Sequence, residues 1–338
     1  MWFKRLMGFE EFDPDQVRGN ISLEGEFLIS KENGNKFQFG KLEIPTLESL
    51  RSRSILLSSF ESVIKFEQVV ANVQELHKTQ ANATFQAASQ FNLLEMVNPD
   101  VSPEWGVDGY ENDHTQGPAC AIACGAGTIY RNYFVKIGDQ IGQSRELQID
   151  CLDKIGNYFC NEENGLWEMK NGYAFPSRNG LRKITKVING LTPHEYETLK
   201  SRLRVGIQKN AEVTISENRH TLTQVYCSAL PIRYTDIDRS EWEAFARLIL
   251  EGLYEATFYA ALENYKSTGN GELYLTLVGG GAFGNPIAWI LDAISKSILK
   301  FRSAPLKVKI VSYGGRNQKI DKCLRELEVA SGMKPEKP

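Results

Sequence analysis

QAASQFNLLEMVNPDVSPEWGVDGYENDHTQGPACAIACGAGTIYRNY, residues 86 to 133, packs polar chemistry more densely than any other part of the chain. It opens in a mostly apolar run, Thr84 to Met96, which reads as a buried strand running into a loop. The loop, Asn98 to Thr115, carries Asp100, Asp108, Glu111, Asp113 and His114. Small residues follow from Gly117 to Thr128. Gly117 to Arg131 is expected to be a helix with Pro118 in its first turn. Side chains this small let a helix sit tight against a neighbour or a ligand.

Downstream, strands and helices alternate. Leu203–Ile207 and Glu212–Ile215 are strand candidates joined by a turn at Lys209-Asn210, and Thr223–Ile232 is a further strand. Arg239–Lys266 carries Trp242, Phe245, Leu248, Ile249, Leu253, Ala256, Phe258, Tyr259 and Leu262 at helical spacing, and Gly269-Asn270-Gly271 stops it. Leu273–Val278 reads as a buried strand, Ile287–Lys300 as a helix and Leu306–Tyr313 as a strand, before a short last helix and a charged tail. Upstream, GEFLISKENGNKFQFGKLEIP reads as two strands around a turn at Asn33-Gly34-Asn35. Thr46 caps a helix or turn, Ile55–His77 has helical periodicity, and the first 20 or so residues read as an arm. Between these halves, Tyr133–Ile137 is expected as a strand, Glu146–Ile155 as a helix and LWEMKNGYAFPSRNG as strand and turn. Thr192-Pro193 with Glu195 opens a helix to Leu203 through a capping box. Such alternation predicts an α/β fold, three layers in the order α/β/α around a mixed central sheet. The expected divisions are an N-terminal extension over 1–75 packed on the main domain, the main domain over 76–325 and a flexible tail over 326–338.

The 338 residues carry a net charge of −3, with 42% hydrophobic and 24% charged side chains. This is the composition of a soluble globular protein, with no basic excess to demand nucleic acid. No apolar run approaches the roughly 18 residues of a membrane span. MWFKRLMGFEEFDPDQ turns acidic too soon for a signal peptide, so a cytoplasmic location is expected. The six cysteines form no CxxC pair and only four histidines are present, which argues against structural zinc and for reduced, mostly buried thiols. No metal is expected.

Two motifs carry chemistry. VGGGAFGNP, residues 278–286, follows an expected strand and opens an expected helix. Its glycines allow close backbone approach, and free N–H groups at the helix start favour an anion. It is neither a P-loop nor the GxGxxG pattern, so it holds a phosphate or diphosphate, or is only a tight turn. Asp108, Glu111 and Asp113 repel one another unless a cation or a proton sits among them. Acid/base chemistry at a glycosidic bond or capture of a guanidinium would use such a group. A solvated acidic loop, or a divalent metal outside the EF-hand pattern, are the other readings. His114 beside Cys120 and Cys124 makes a poor thiol site, because cysteines among small apolar residues act as small hydrophobes.

Taken together, the motifs resemble those of a divergent macrodomain, the fold that binds ADP-ribose, over roughly residues 80 to 315. Ala88-Ser89-Gln90-Phe91-Asn92 stands where that family has a strand-end asparagine motif, with Gln90-Phe91-Asn92 in place of its double asparagine. Gly106-Val107-Asp108-Gly109 resembles its glycine-valine-aspartate loop, and Val278–Pro286 its second diphosphate loop. The extended form GVDGYENDHTQGPACAIA is most similar to the arginine-specific ADP-ribosyl hydrolase group that includes the Legionella effector MavL and eukaryotic relatives. The resemblance implies a hydrolase that removes mono-ADP-ribose from arginine side chains of a protein, with ubiquitin as a candidate, needing no cofactor beyond ADP-ribose as ligand and product. It implies that Gln90, Phe91, Asn92, Gly106 and Val107 line the distal ribose, with Asn92 hydrogen-bonded to it. Gly279, Gly280, Gly281, Ala282, Phe283, Gly284 and Asn285 would hold the diphosphate, with Phe283 packed over it or the ribose. Asp108 would orient the ribose or a water, Glu111 and Asp113 would meet the guanidinium or protonate the leaving nitrogen, and Tyr313 would stack on adenine. A non-catalytic ADP-ribose reader and a hydrolase of free ADP-ribose-type metabolites are the alternatives.

Overall fold

The computed structural model describes residues 1–53, 60 and 62–331. Two short helices, α1 (Trp2–Met7) and α2 (Pro14–Asn20), lead into a meander of β1 (Ile21–Glu24), β2 (Phe27–Ser30) and β3 (Lys36–Gln38). Next come β4 (Lys41–Glu43), α3 (Leu47–Arg53), β5 (Lys65–Val70), α4 (Val73–Thr79) and β6 (Thr84–Ala88). After the acidic loop the chain forms α5 (Gln116–Ala123), α6 (Gly125–Tyr133), a small hairpin of β7 (Lys136–Ile137) and β8 (Gln140–Ile141), α7 (Asp153–Tyr158) and α8 (Asn161–Asn164). A second hairpin, β9 (Trp167–Lys170) and β10 (Tyr173–Pro176), precedes α9 (Arg178–Gly190) and α10 (Pro193–Lys200). The last third is β11 (Gly206–Glu212), β12 (Thr221–Cys227), α11 (Arg239–Thr268), β13 (Glu272–Leu275), α12 (Ile287–Lys300), β14 (Lys307–Ser312) and α13 (Gln318–Ser331).

Seven strands make one mixed sheet in the order β4-β11-β12-β6-β13-β14-β5. The first two pairings are antiparallel, and the rest, β12 through β5, are parallel. Parallel strands need both faces covered, and successive side chains show how this is met. Phe85 of β6 lies against His77 of α4, ring centroids 3.9 Å apart, while Gln86 beside it donates to Thr257 Oγ1 of α11 at 2.9 Å. One face therefore carries α4 and α5, the other α11 with α12, which gives the expected three-layer α/β fold. From Leu248 to Leu262 every residue of α11 is buried, as a helix packed on all sides must be.

Several elements differ from their sequence-based expectation. The stretch read as a helix over 55–77 holds β5 and then α4; Val69 and Val70 favour the strand, and the apolar spacing of 63–70 suits both periods. Residues 54–59 and 61 of that stretch lie outside the described residues, as do 332–338 of the tail, while 326–331 belong to α13. The first 75 residues are not a layer added to a finished domain, because β4 and β5 are the two edge strands of the main sheet. Residues 1–20 are not a loose arm either. Trp2, Phe3, Leu6, Met7 and Val17 bury against Ala121, Ala126, Ile129 and Tyr133 in a second hydrophobic cluster. The small-residue helix breaks at Cys124 (φ −115°, ψ 59°) into α5 and α6, and α6 runs through Tyr133. Lys209-Asn210 is a bulge inside one strand, with Asn210 at φ 55°, and not a turn between two. Helix α7 begins only at Asp153, and Ser177 caps a helix, α9, where a turn was expected. The capping box of Thr192 and Glu195 is present.

Candidate functional site

Adjacent parallel strands β6 and β13 send the chain to opposite faces, β6 into α5 and β13 into α12. Such a switch opens a crevice at the carboxyl ends of the strands, where open α/β sheets bind ligands. A cleft lies there in two joined halves, sharing Asp113, Thr115, Gln116, Thr276 and Leu277. The smaller half, ≈ 280 Å³, lies over β6, β12 and β13 and is lined by Gln90, Glu95, Tyr173, Tyr234, Gly117 and the glycine loop. The larger, ≈ 810 Å³, lies over β13, β14 and β5, with Arg5, Lys78, His114, Glu111 and Tyr313 on its walls.

The glycine loop is held at both ends. Tyr254 donates from its hydroxyl to the Thr276 carbonyl (2.7 Å) and accepts from the Val278 N–H (3.0 Å), and Asn285 donates to the Leu230 carbonyl (2.8 Å). Gly279 (φ 75°) has no room for a side chain, since a Cβ would fall 2.4 Å from that of Ala229. The turn uses the N–H groups of Gly280, Gly284 and Asn285 internally. The N–H groups of Gly281, Ala282 and Phe283 take no hydrogen bond among the described residues, and all three residues line the smaller half of the cleft. Opposite them α5 begins; Pro118 has no N–H and the Ala119 N–H donates to the Thr115 carbonyl (3.3 Å), which leaves the N–H groups of Gln116 and Gly117 without a partner among the described residues. Phe283, Tyr173 and Tyr234 pack ring to ring with centroids 5.4 to 5.7 Å apart.

Helix α5 is pinned to β6 by Gln116, whose amide accepts from Ala88 N (2.9 Å) and donates to Gln86 O (2.8 Å). Gly117 then comes so close that a Cβ would lie 2.1 Å from the Ala88 carbonyl oxygen and 2.2 Å from Glu95 Oε2. Glu95 is 5% exposed, lines the cleft, and accepts no hydrogen bond on either carboxyl oxygen among the described residues. Burial pushes its pKa well above the usual carboxylate range; Arg131 opposes the shift and Asp113 adds to it. Glu95 is hidden from pattern-based selection by the apolar run FNLLEMV in which it sits. A charged residue inside a run read as buried was the available signal.

The acidic loop is divided between two tasks. Asp113 lines both halves of the cleft and accepts from Thr115 N at 2.9 Å. Asp108 lines neither half, and faces α1 instead, accepting from Phe3 N at 3.2 Å. Glu111 edges the larger half but accepts from Trp2 N (2.9 Å) and pairs with the amino group of Met1 (3.1 Å). Asp108 and Glu111 are thus taken up by the N-terminal end of α1. Gly106 and Val107 also lie outside the cleft. Glu11 accepts from the N–H groups of Val107 (2.8 Å) and Asp108 (2.6 Å) and from the Tyr133 hydroxyl (2.6 Å), and Gly106 (φ 82°) leaves it room. Asp108→Ala is therefore expected to cost about 1 kcal/mol, the worth of a helix cap. Ligand affinity should stay within twofold. Denaturant unfolding beside calorimetry checks this, and a tenfold loss of affinity with unchanged stability would contradict it.

The asparagine motif is likewise structural in part. Gln90 lines the cleft, but its amide is spent on Met96, accepting from its N–H (2.9 Å) and donating to its carbonyl (3.2 Å). Phe91 is in the core. Asn92 is fully buried, donates to Gln148 (2.8 Å) and accepts from Leu94 N (3.1 Å), so it does not reach the cleft. Its network continues through Gln148 to Asn171 (2.9 Å) at the β9–β10 turn, beside Tyr173. The hairpin's contribution to the wall was not anticipated, since it lies more than 70 positions downstream of the strand it faces. Tyr313 is 83% exposed at the rim of the larger half.

No family model matches the chain, and no curated protein matches it in sequence. Among solved structures it is similar to poly(ADP-ribose) glycohydrolase from Deinococcus radiodurans in complex with ADP-ribose, at 9% identity over 86% of this chain and 94% of that one, with a TM-score of 0.42. It is also similar to the Thermomonospora curvata poly(ADP-ribose) glycohydrolase bound to the inhibitor ADP-HPD, at 10% identity over 92% and 95% of the two chains and a TM-score of 0.43. A likeness this distant says nothing of substrate or of which residues act. No described helix is long and apolar enough to cross a membrane.

Proposed function

We propose that the chain is an ADP-ribosyl hydrolase that releases mono-ADP-ribose from arginine side chains of a protein. The observation that carries this reading is the pairing of unused N–H groups, those of Gly281 to Phe283 with those of Gln116 and Gly117 at the start of α5, around one cleft that also holds carboxyl groups. Backbone N–H groups and a helix start suit the diphosphate. The larger half, with Tyr313, takes the adenosine, and the smaller half takes the distal ribose and what it is joined to. That half is lined by Glu95, Asp113 and three aromatic rings, and among the described residues by no lysine, arginine or histidine. Such a lining favours a guanidinium, through the Asp113 carboxyl and through the faces of the rings, over an acidic side chain. The bond cut is C1 of the ribose to the guanidinium nitrogen, through an oxocarbenium-like state. Asp113, at the junction of the halves, orients the attacking water or the guanidinium. Ubiquitin is one candidate for the modified protein. The test is release of free ADP-ribose from a protein modified on arginine, beside serine- and glutamate-linked substrates. Selective release from arginine is expected. Binding of ADP-ribose without release from any of the three would make the chain a reader.

A further inference from the structure

We propose that Glu95 is the catalytic acid of this cleft, the group that hands a proton to the leaving atom and takes one back from the attacking water. The proposal rests on the hydrolase reading above and adds to it a residue outside the acidic loop. Glu95 has 5% of its surface exposed, its sealed Oε1 has no hydrogen-bond partner among the described residues, and its attraction to Arg131 does not offset its burial. Burial of such a group unpaired is costly, so a structural role would have been met as well by glutamine or methionine. What is built here instead keeps the carboxyl in place. The Glu95 N–H donates to the Tyr110 hydroxyl (2.9 Å), fixing the backbone, and α5 omits a side chain at Gly117 where Oε2 lies. Glu95 thereby lines the smaller half of the cleft, with the glycine loop and Asp113 on the same walls.

The surroundings favour the protonated carboxyl. Arg131 of α6 and Asp113 act on the carboxyl in opposite senses, and Tyr110, Cys120 of α5, Tyr173 of β10 and Tyr226 of β12 are the other titratable groups around it. Arg131 makes its hydrogen bonds elsewhere, with its guanidinium 3.6 Å from the Tyr226 ring centroid, Nε donating to Leu93 O (3.1 Å) and Nη2 to Thr128 Oγ1 (3.1 Å), while its buried Nη1 has no partner among the described residues. Desolvation outweighs it, so the carboxyl holds its proton more tightly than an ordinary glutamate does.

In the reaction the C1–N bond breaks and its electron pair goes to the nitrogen, which accepts the Glu95 proton and leaves as part of the arginine guanidinium. Water adds its oxygen to C1 and gives one proton to the Glu95 carboxylate. The products are ADP-ribose and unmodified arginine, and the acid is restored.

Glu95→Gln tests this, since the amide is isosteric and cannot donate a proton of the right acidity. The variant is expected to fold with an unchanged or higher unfolding midpoint and to bind ADP-ribose within threefold of wild type by calorimetry. Release from the arginine-linked protein should fall by about a hundredfold or more, the usual scale of general-acid catalysis. ADP-ribose linked to 4-nitrophenol, whose leaving oxygen needs no proton, should be cut by the variant within tenfold of wild type. The wild-type rate should fall as pH rises through the Glu95 pKa, and the variant should lack that limb. A variant within threefold of wild type on the arginine-linked protein overturns the role of Glu95 and leaves the hydrolase reading standing. Equal loss on both substrates also overturns it. A wild-type protein that binds ADP-ribose and releases it from no linkage removes the hydrolase reading, and the proposal with it.

Discussion

Gly117→Ala should remove turnover and weaken the fold at the same time. The added methyl would meet the Ala88 carbonyl oxygen at 2.1 Å and the Glu95 carboxyl at 2.2 Å. The first of these is backbone at the end of a central strand and has nowhere to go. Helix α5 cannot simply back away, because Gln116 ties its first residue to Ala88 N and Gln86 O. Overpacking of this kind costs about 1–3 kcal/mol, and a rigid neighbour puts the change toward the upper end. The functional loss should be larger still. A displacement of about 1 Å in a group that must reach the leaving atom costs about a hundredfold in rate, and both Glu95 and the N–H groups of α5 would shift. The control is Gly109→Ala, an acidic-loop position where a Cβ meets nothing within 4 Å. It should match wild type in unfolding midpoint, ADP-ribose affinity and rate. If Gly117→Ala unfolds and turns over like Gly109→Ala, then the close approach of α5 to β6 is not what shapes the cleft.

Much of this arrangement could be read in the residues beforehand, and what escaped did so for identifiable reasons. Long elements with one period, such as Arg239–Thr268 and Ile287–Lys300, lie within two residues of their expected limits. The glycine loop between a strand and a helix also stands where it was expected, since its only sensible conformations are turns. Local pattern failed where a distant partner decides the outcome. Asp108 and Glu111 look like site carboxylates until Trp2 and Phe3, more than 100 positions away, present their N–H groups. Asn92 looks like a ribose ligand until Gln148 takes its amide. Glu95 looks like part of an apolar run until the missing side chain of Gly117 shows what the space is for. Short-range pattern identifies which residues are polar or small; which of them face a cleft depends on contacts the pattern does not contain.

One tie between the N-terminal segment and the body of the protein is electrostatic, and its pH dependence can be predicted. Glu255 of α11 is buried and receives Arg51 of α3 through two bonds, Nε at 2.7 Å and Nη2 at 2.9 Å, with Lys200 of α10 at 3.2 Å and Lys300 of α12 beside it. Burial alone would raise the Glu255 pKa, but Arg51, Lys200 and Lys300 together outweigh it and hold it at about 2. A folded-state pKa below the unfolded value of about 4.5 means that the folded protein binds this proton less readily. The stabilisation is then fully present above pH 4.5 and is lost as pH falls toward 2. Its size follows from the shift, about 3 kcal/mol. Glu255→Gln imitates the protonated carboxyl while leaving three cations short of a partner, so it should lose about 3 kcal/mol at neutral pH, in line with breaking a buried pair from one side. Urea unfolding of both proteins from pH 7 down to pH 2 separates this account from a packing effect. The two stability curves should converge as pH falls, because wild type then carries the same uncharged group. A gap that stays constant down to pH 2 would mean that the glutamine fits badly and that the charge of Glu255 contributes little. Convergence would show that four helices, including one from the first 75 residues, are held in register by a single carboxylate that the hydrophobic pattern of α11 gave no reason to place there.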